Sequence, residues 1–365
     1  MALSPPDNHP HISFTRLIHV VQLWANKIVQ AGNEDLEQDL LCLVSQQLTT
    51  ELHTILDEQH HVLWAIQCRV LLSLHYLDQA RLVEGSHWCA AATSLALTAR
   101  LNLLGTSPRP QSSSLQFALE GSVPNCFNIH PAHFQEMVNA FWSVALLNNY
   151  WVAASGTHSF PHNVPVNTPY PDTQPGHSAN GNTSAHALLV DGSLWLKRTI
   201  TLVECQGQSD MDLWNFGHQL AHFAIFVETH INGAGTGVFH QDHHQGRDAE
   251  TEMLVLTQGM VTAAMIRLHI FGSFHLAPQS HQKCFAAAQF LLYLIETTGI
   301  AAWPQGADPV LGPLLACVAD AYATSSDPTA LSLGQHAITC LKHLAPKSPL
   351  AGHCVTHAPG SQTTL

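Results

Sequence analysis

Apolar residues recur at helical spacing along most of this chain. In 56–77 (LDEQHHVLWAIQCRVLLSLHYL), Leu63, Ile66, Val70, Leu74 and Leu77 follow at intervals of three and four, one apolar stripe on a 3.6-residue period. Asp78 and Gln79 interrupt it. A second stripe follows in 80–104, with Trp88, Ala91, Ala92, Leu95 and Ala99 on one side. Gly105 and then Pro108 predict the end of that helix. The pair predicts an antiparallel helical hairpin.

The polar stretch 106–114 (TSPRPQSSS) reads as a loop. Helix returns at 133–155, where Phe134, Val138, Phe141, Ala145 and Tyr150, with Trp142 and Trp151 beside them, make a heavy aromatic face. Residues 156–184 hold five prolines and no period, which predicts a long irregular loop. Further helices are predicted at 186–206, 211–231, 249–272, 281–298, 308–324 and 328–344. The Gly- and His-rich segment 232–247 separates two of them. Sustained strand-like alternation is absent. The expected fold is all-α, a multi-helix array of antiparallel hairpins with long irregular loops. Three parts are expected: a partly helical flank over 1–50, a helical domain over 51–345, and a flexible tail over 346–365.

Composition narrows the function. Charged residues are only 11%, and 13 Lys and Arg against 26 Asp and Glu give a net charge of −13. No dense basic run exists, so the chain lacks the cationic face that phosphate neutralisation needs. Histidine as a residue type ordinarily titrates near pH 6.5, so with 27 His mild acid is expected to change the net charge substantially. The nine cysteines (42, 68, 89, 126, 205, 284, 317, 340 and 354) include no CxxC pair, which leaves no zinc finger or thioredoxin motif. They read as reduced core thiols. Residues 1–14 lack the apolar core of a signal peptide, and no apolar run approaches the roughly 20 residues of a membrane span. No membrane association is expected.

Catalytic chemistry finds little support. His218 and His222 stand at i and i+4, but Gln219 occupies the place where a zinc protease needs its general base Glu. His240, Asp242, His243 and His244 cluster next to a glycine run and read as an adventitious surface group. Gly233, Gly235 and Gly237 are mis-spaced for a dinucleotide loop, and no strand precedes them. No nucleophile elbow, P-loop or aspartate-rich magnesium motif occurs. The expectation is therefore no enzyme, no catalytic residue and no metal or cofactor in this chain. Trp88, Phe141, Trp142, Tyr150 and Trp151 are the candidates for an effector pocket or for core, with Tyr150 and Trp151 expected at a pocket mouth.

Two stretches resemble the middle homology region of fungal zinc-cluster transcription factors. In 66–104, Gly85, Trp88, Ala92, Ala96 and Leu104–Gly105 hold places comparable with that family's signature. In 139–172, Phe141, Trp142, Leu147, Gly156, Pro169 and Pro171 match. Segments 260–270 (MVTAAMIRLHI), 284–292 (CFAAAQFLL) and 308–311 (DPVL) fit later family helices, so the resemblance spans about 55–325. Asn148–Asn149 and Thr157–His158 depart from the family's Asp-Arg and Arg-Pro. The resemblance implies a nuclear regulatory domain that modulates RNA polymerase II transcription by sensing a metabolite or by contacting the transcription machinery, co-regulators or a second copy. The alternative is a stand-alone helical interaction protein derived from such a factor. The family's six-cysteine zinc cluster is not among these residues, so zinc and direct DNA contact are expected only from an N-terminal domain outside them. The purified chain should therefore give no sequence-dependent mobility shift of duplex DNA at physiological salt.

Overall fold

The run 254–266 (LVLTQGMVTAAMI) is apolar on all sides, and a helix of that kind has to be enclosed. In the computed structural model it lies in α8 (Ala249–Ile266), buried from Leu254 to Ile266. A π-helical segment, Arg267–Phe271, continues it. The structure describes residues 10–28, 34–50, 59–105, 131–156, 164–171, 184–204, 210–238, 249–271, 278–299, 308–323 and 325–357. Among these it forms twelve α-helices and no strand, so the fold is all-α.

Four helices enclose α8: α6 (Ala185–Glu204), α7 (Asp210–Val238), α9 (Pro278–Thr298) and α10 (Leu311–Tyr322). α5 (Pro131–Ser155) packs against α6 on one side and against the hairpin of α3 (Gln59–Asp78) and α4 (Leu82–Thr98) on the other. One continuous core thus runs from Val62 to Ala351. The hairpin turn is tight because Ala80 takes a left-handed conformation, φ +55°, which lets the Arg81 amide donate to Tyr76 O at 2.9 Å.

The predicted flank is two helices, α1 (Pro10–Ile28) and α2 (Glu34–Thr50), seated on α3. Val20, Leu23, Leu41, Val44 and Leu48 form a second core with Cys68, Leu72, Tyr76 and Trp88. Arg69, itself buried, donates to Leu48 O at 3.2 Å and Ala65 O at 3.0 Å. It satisfies a carbonyl at the end of α2 and ties that helix to α3.

Three expectations are corrected. The α4 helix ends at Thr98, before Gly105, because Arg100 turns left-handed (φ +56°) and the chain enters a 3₁₀ turn over Leu101–Leu103. α7 runs on to Val238, so Gly233, Gly235 and Gly237, expected in the segment that separates two helices, lie in a helix. The tail is not all frayed. α12 (Pro349–His357) follows Ser348 and Pro349, which supply a helix-starting pair, and it buries Leu350 and Ala351 against the core. The loop 106–114, most of 157–183 and the His240–His244 cluster lie outside the described residues.

The hairpin of α10 and α11 (Pro328–Leu344) starts its second helix with Asp327, whose carboxylate accepts from the Thr329 amide at 3.0 Å. It closes where Gly334 meets the end of α10. A Cβ there would sit 2.4 Å from Ala323 N, a backbone atom. Gly233, by contrast, is helical and has nothing within 4 Å of a Cβ. Gly334→Ala should therefore destabilise by about 1–3 kcal/mol, as overpacking does. Gly233→Ala should stabilise by up to about 1 kcal/mol through helix propensity. Thermal unfolding of the two beside the native chain should rank them in that order.

Candidate functional site

The five aromatic candidates are all buried. Trp151 is the most enclosed of them. Its ring lies where Gly85 leaves room, since a Cβ at Gly85 would come 2.5 Å from Trp151 Cζ2. Its Nε1 donates to Ser73 Oγ at 2.9 Å, and Ser73 Oγ donates to Gly85 O at 2.8 Å. Tyr150 is enclosed as well, with its hydroxyl directed at Asp308 Oδ2 (3.4 Å). The expectation that these two rings stand at a pocket mouth is corrected. They fall at the α5 positions that face α3 and α10, so the core closes over them.

Trp142 sits nearer the surface. Its Nε1 donates to Pro169 O at 2.6 Å, and its ring stacks on Tyr170 with centroids 4.9 Å apart. It thereby anchors the irregular strap 164–171, which Asn102 and Thr168 bond to the 3₁₀ turn at Leu101–Leu103. Phe141 packs edge-on against Trp142 at 5.1 Å, and Trp88 belongs to the second core. Asn149 donates to Ser193 Oγ at 2.9 Å, which gives α5 and α6 a neutral contact.

A polar cleft instead opens where α2 and the end of α3 meet the α3–α4 turn. It holds about 250 Å³ and is lined by Glu37, Gln38, Leu41, His75, Gln79 and Arg81. His75 is fully buried at its inner wall. His75 Nδ1 has no hydrogen-bond partner among the described residues. Nε2 lies 3.1 Å from Glu37 Oε1 but is not aligned for a hydrogen bond. Burial pushes the imidazole down to about 4, helped by the charges of Lys27 and Arg81, so it is neutral at pH 7. The edges of Trp24 and Tyr76 hold the ring, with centroids at 5.9 and 6.1 Å.

Charges of both signs surround this imidazole. Lys27 pairs with the buried Asp78 and lies over the Trp24 ring, and burial lowers its ammonium to about 8. Arg81 donates through Nε and Nη2 to Glu84 and lies over Tyr76, 4.7 Å from the ring centroid. These groups come from 27, 37, 75, 78 and 81. No linear spacing signals such a set, and the sequence shows Asp78 only as a break in an apolar stripe.

A second polar cluster joins α5, α8 and the start of α10. Asp308 accepts from the Val310 amide at 2.9 Å and faces Tyr150, and Glu252 accepts from the Asp308 amide. Burial pushes Asp308 up to about 6. Burial and then the Asp308 charge push Glu252 up to about 7.

His218 and His222 lie on the exposed face of α7 with ring centroids 4.4 Å apart and Trp214 stacked on the first. No group of three or more metal-ligating side chains occurs among the described residues, and no described helix is long and apolar enough to cross a membrane. The seven described cysteines are free thiols. Set against known proteins, the chain finds no match among family models, curated proteins or solved structures.

His75 generates a pH prediction. Its folded value, about 4, lies below the ordinary 6.5, so the unfolded chain takes up the proton first. Its stabilising contribution is complete above pH 6.5 and is lost as pH falls toward 4, by on the order of 3 kcal/mol. In urea unfolding from pH 7.5 to 4.5, the stability gap between the native chain and His75→Gln should shrink by that amount. A gap that stays constant with pH would mean that His75 titrates as an exposed histidine.

Proposed function

We propose that this chain is an effector-responsive regulatory domain of the fungal zinc-cluster transcription-factor type. It acts in the nucleus on RNA polymerase II transcription through co-regulators. The observation that carries the reading is the polar cleft at His75. The family-like segments contribute its α3–α4 wall, and a fully buried imidazole without a hydrogen-bond partner among the described residues lies against it. A small molecule seated there touches α2 and the α3–α4 turn together. Its binding biases how the α1–α2 pair sits on the domain, a differential contact of the kind a regulatory switch requires. DNA contact and zinc belong to a separate domain in this reading.

The alternative, a stand-alone helical interaction protein, draws on the outer face of α7. There Met211 (65% exposed), Trp214 (56%), Ile225 (60%) and Phe226 (45%) stand at the surface. A reporter experiment separates the two. The whole chain, fused to a heterologous DNA-binding domain in a fungal reporter strain, should change transcription several-fold relative to that domain alone. The change should depend on the nutrients in the medium. Output equal to that of the DNA-binding domain alone in every medium would reject the regulatory reading in favour of the interaction protein.

A further inference from the structure

We propose that the cleft at His75 binds a small zwitterion of the α-amino-acid class, with its carboxylate on the Arg81 side and its ammonium at Glu37. The inference rests on reading this cleft as the effector site.

Size comes first. About 250 Å³ corresponds to roughly eight water volumes, enough for one small molecule and too little for a large cofactor. The lining then excludes ligand classes. Leu41 is the single apolar side chain among the six that line the cleft, so a sterol or fatty acid would find little surface to bury against. Glu37 disfavours phosphates and dicarboxylates. Arg81 disfavours polyamines. Both residues face the same small space from different elements, Glu37 from α2 and Arg81 from the α3–α4 turn, so a ligand carrying one charge of each sign meets a partner at both ends.

The remaining lining fits the same ligand. Glu37 Oε1 lies 3.1 Å from His75 Nε2 without hydrogen-bond alignment, so the carboxylate keeps acceptor capacity for an ammonium. Glu84 takes Nε and Nη2 of Arg81, which leaves Nη1 for a carboxylate oxygen. Neutral His75 offers one donor and one acceptor, and the carboxamides of Gln38 and Gln79 offer both. Leu41 supplies contact for a short side chain. The charges behind the ring are already balanced, because Lys27 is held by Asp78. The buried imidazole then gains a hydrogen bond that the described residues do not give it, which favours occupancy of the cleft.

The test is calorimetric titration of the purified full chain with each standard L-amino acid separately. Each is paired with its N-acetyl derivative, which lacks the ammonium, and its decarboxylated amine, which lacks the carboxylate. At least one amino acid should bind saturably, and both of its single-charge analogues should bind at least about tenfold more weakly. Glu37→Gln and Arg81→Gln alter half-exposed or exposed side chains and should keep the native unfolding temperature within a few degrees. Each should lose about tenfold or more in affinity. The proposal is overturned if no amino acid binds, if an analogue binds as well as its parent, or if both folded variants bind like the native chain. Transcription is not read here, so an effector-dependent reporter without amino-acid binding sinks this proposal alone. Binding with a silent reporter sinks the functional reading alone.

Discussion

Three helices of this domain meet at one indole. Trp151, on α5, fills the space beside Gly85 on α4 and bonds to Ser73 on α3, and Ser73 passes the bond on to the Gly85 carbonyl. The arrangement is both steric and polar. Glycine is required because any Cβ would strike the ring, and the serine is required because a buried indole N–H without a partner is costly. α5 also carries Tyr150 and Trp142, so fixing Trp151 fixes what lies on either side. Tyr150 is turned toward Asp308 and α10, and Trp142 toward the strap at Pro169 and Tyr170. The orientation of α5 against the hairpin therefore sets the geometry of both the α8-centred layer and the strap.

The N-terminal pair is held by different means. Its apolar contact with α3 is a small separate core, and its ties are charged: Arg69 to the end of α2, Lys27 to Asp78, and Glu37 beside His75. A chain with only 13 Lys and Arg spends three of them, Lys27, Arg69 and Arg81, along this one seam. Buried charge pairs contribute little net stability, yet breaking one is costly, so they fix geometry more than they add energy. That is a suitable interface for a ligand that exchanges its own charges with those of the wall.

Much of the fold was legible because its signal is local. Helix period located α3, α5, α6, α8, α9 and α11 within a few residues, and the Asp78–Gln79 break fell at the hairpin turn. Where the sequence misled, a local rule met a tertiary one. Glycines expected between two helices were absorbed into α7, and residues 349–357 of the expected tail form a helix because Leu350 and Ala351 had core to bury against. Phe141 and Trp142 are buried as expected, but Tyr150 and Trp151, expected at a pocket mouth, are buried as well. Burial depends on which neighbour faces each position, and the period of one helix does not contain that. The cleft was invisible for a stronger reason. Its lining residues are separated by up to 44 residues and come from α2, α3 and the α3–α4 turn, a set that no linear spacing joins.

The two polar clusters pull stability in opposite directions with pH. His75 titrates near 4 when folded and near 6.5 when unfolded, so its contribution grows as pH rises between those values. Asp308 and Glu252 titrate near 6 and 7 when folded, above their ordinary 3.8 and 4.5. The folded chain holds their protons longer, so their contribution is present in acid and lost as pH rises through about 4 to 7. The windows overlap almost completely. Stability across mild acid is then the sum of two opposed slopes that offset each other in part. One cluster lies between α2 and the hairpin, the other between α5, α8 and the start of α10. Mild acid thus loosens the N-terminal seam while it tightens the centre, and a ligand at His75 acts on the looser of the two.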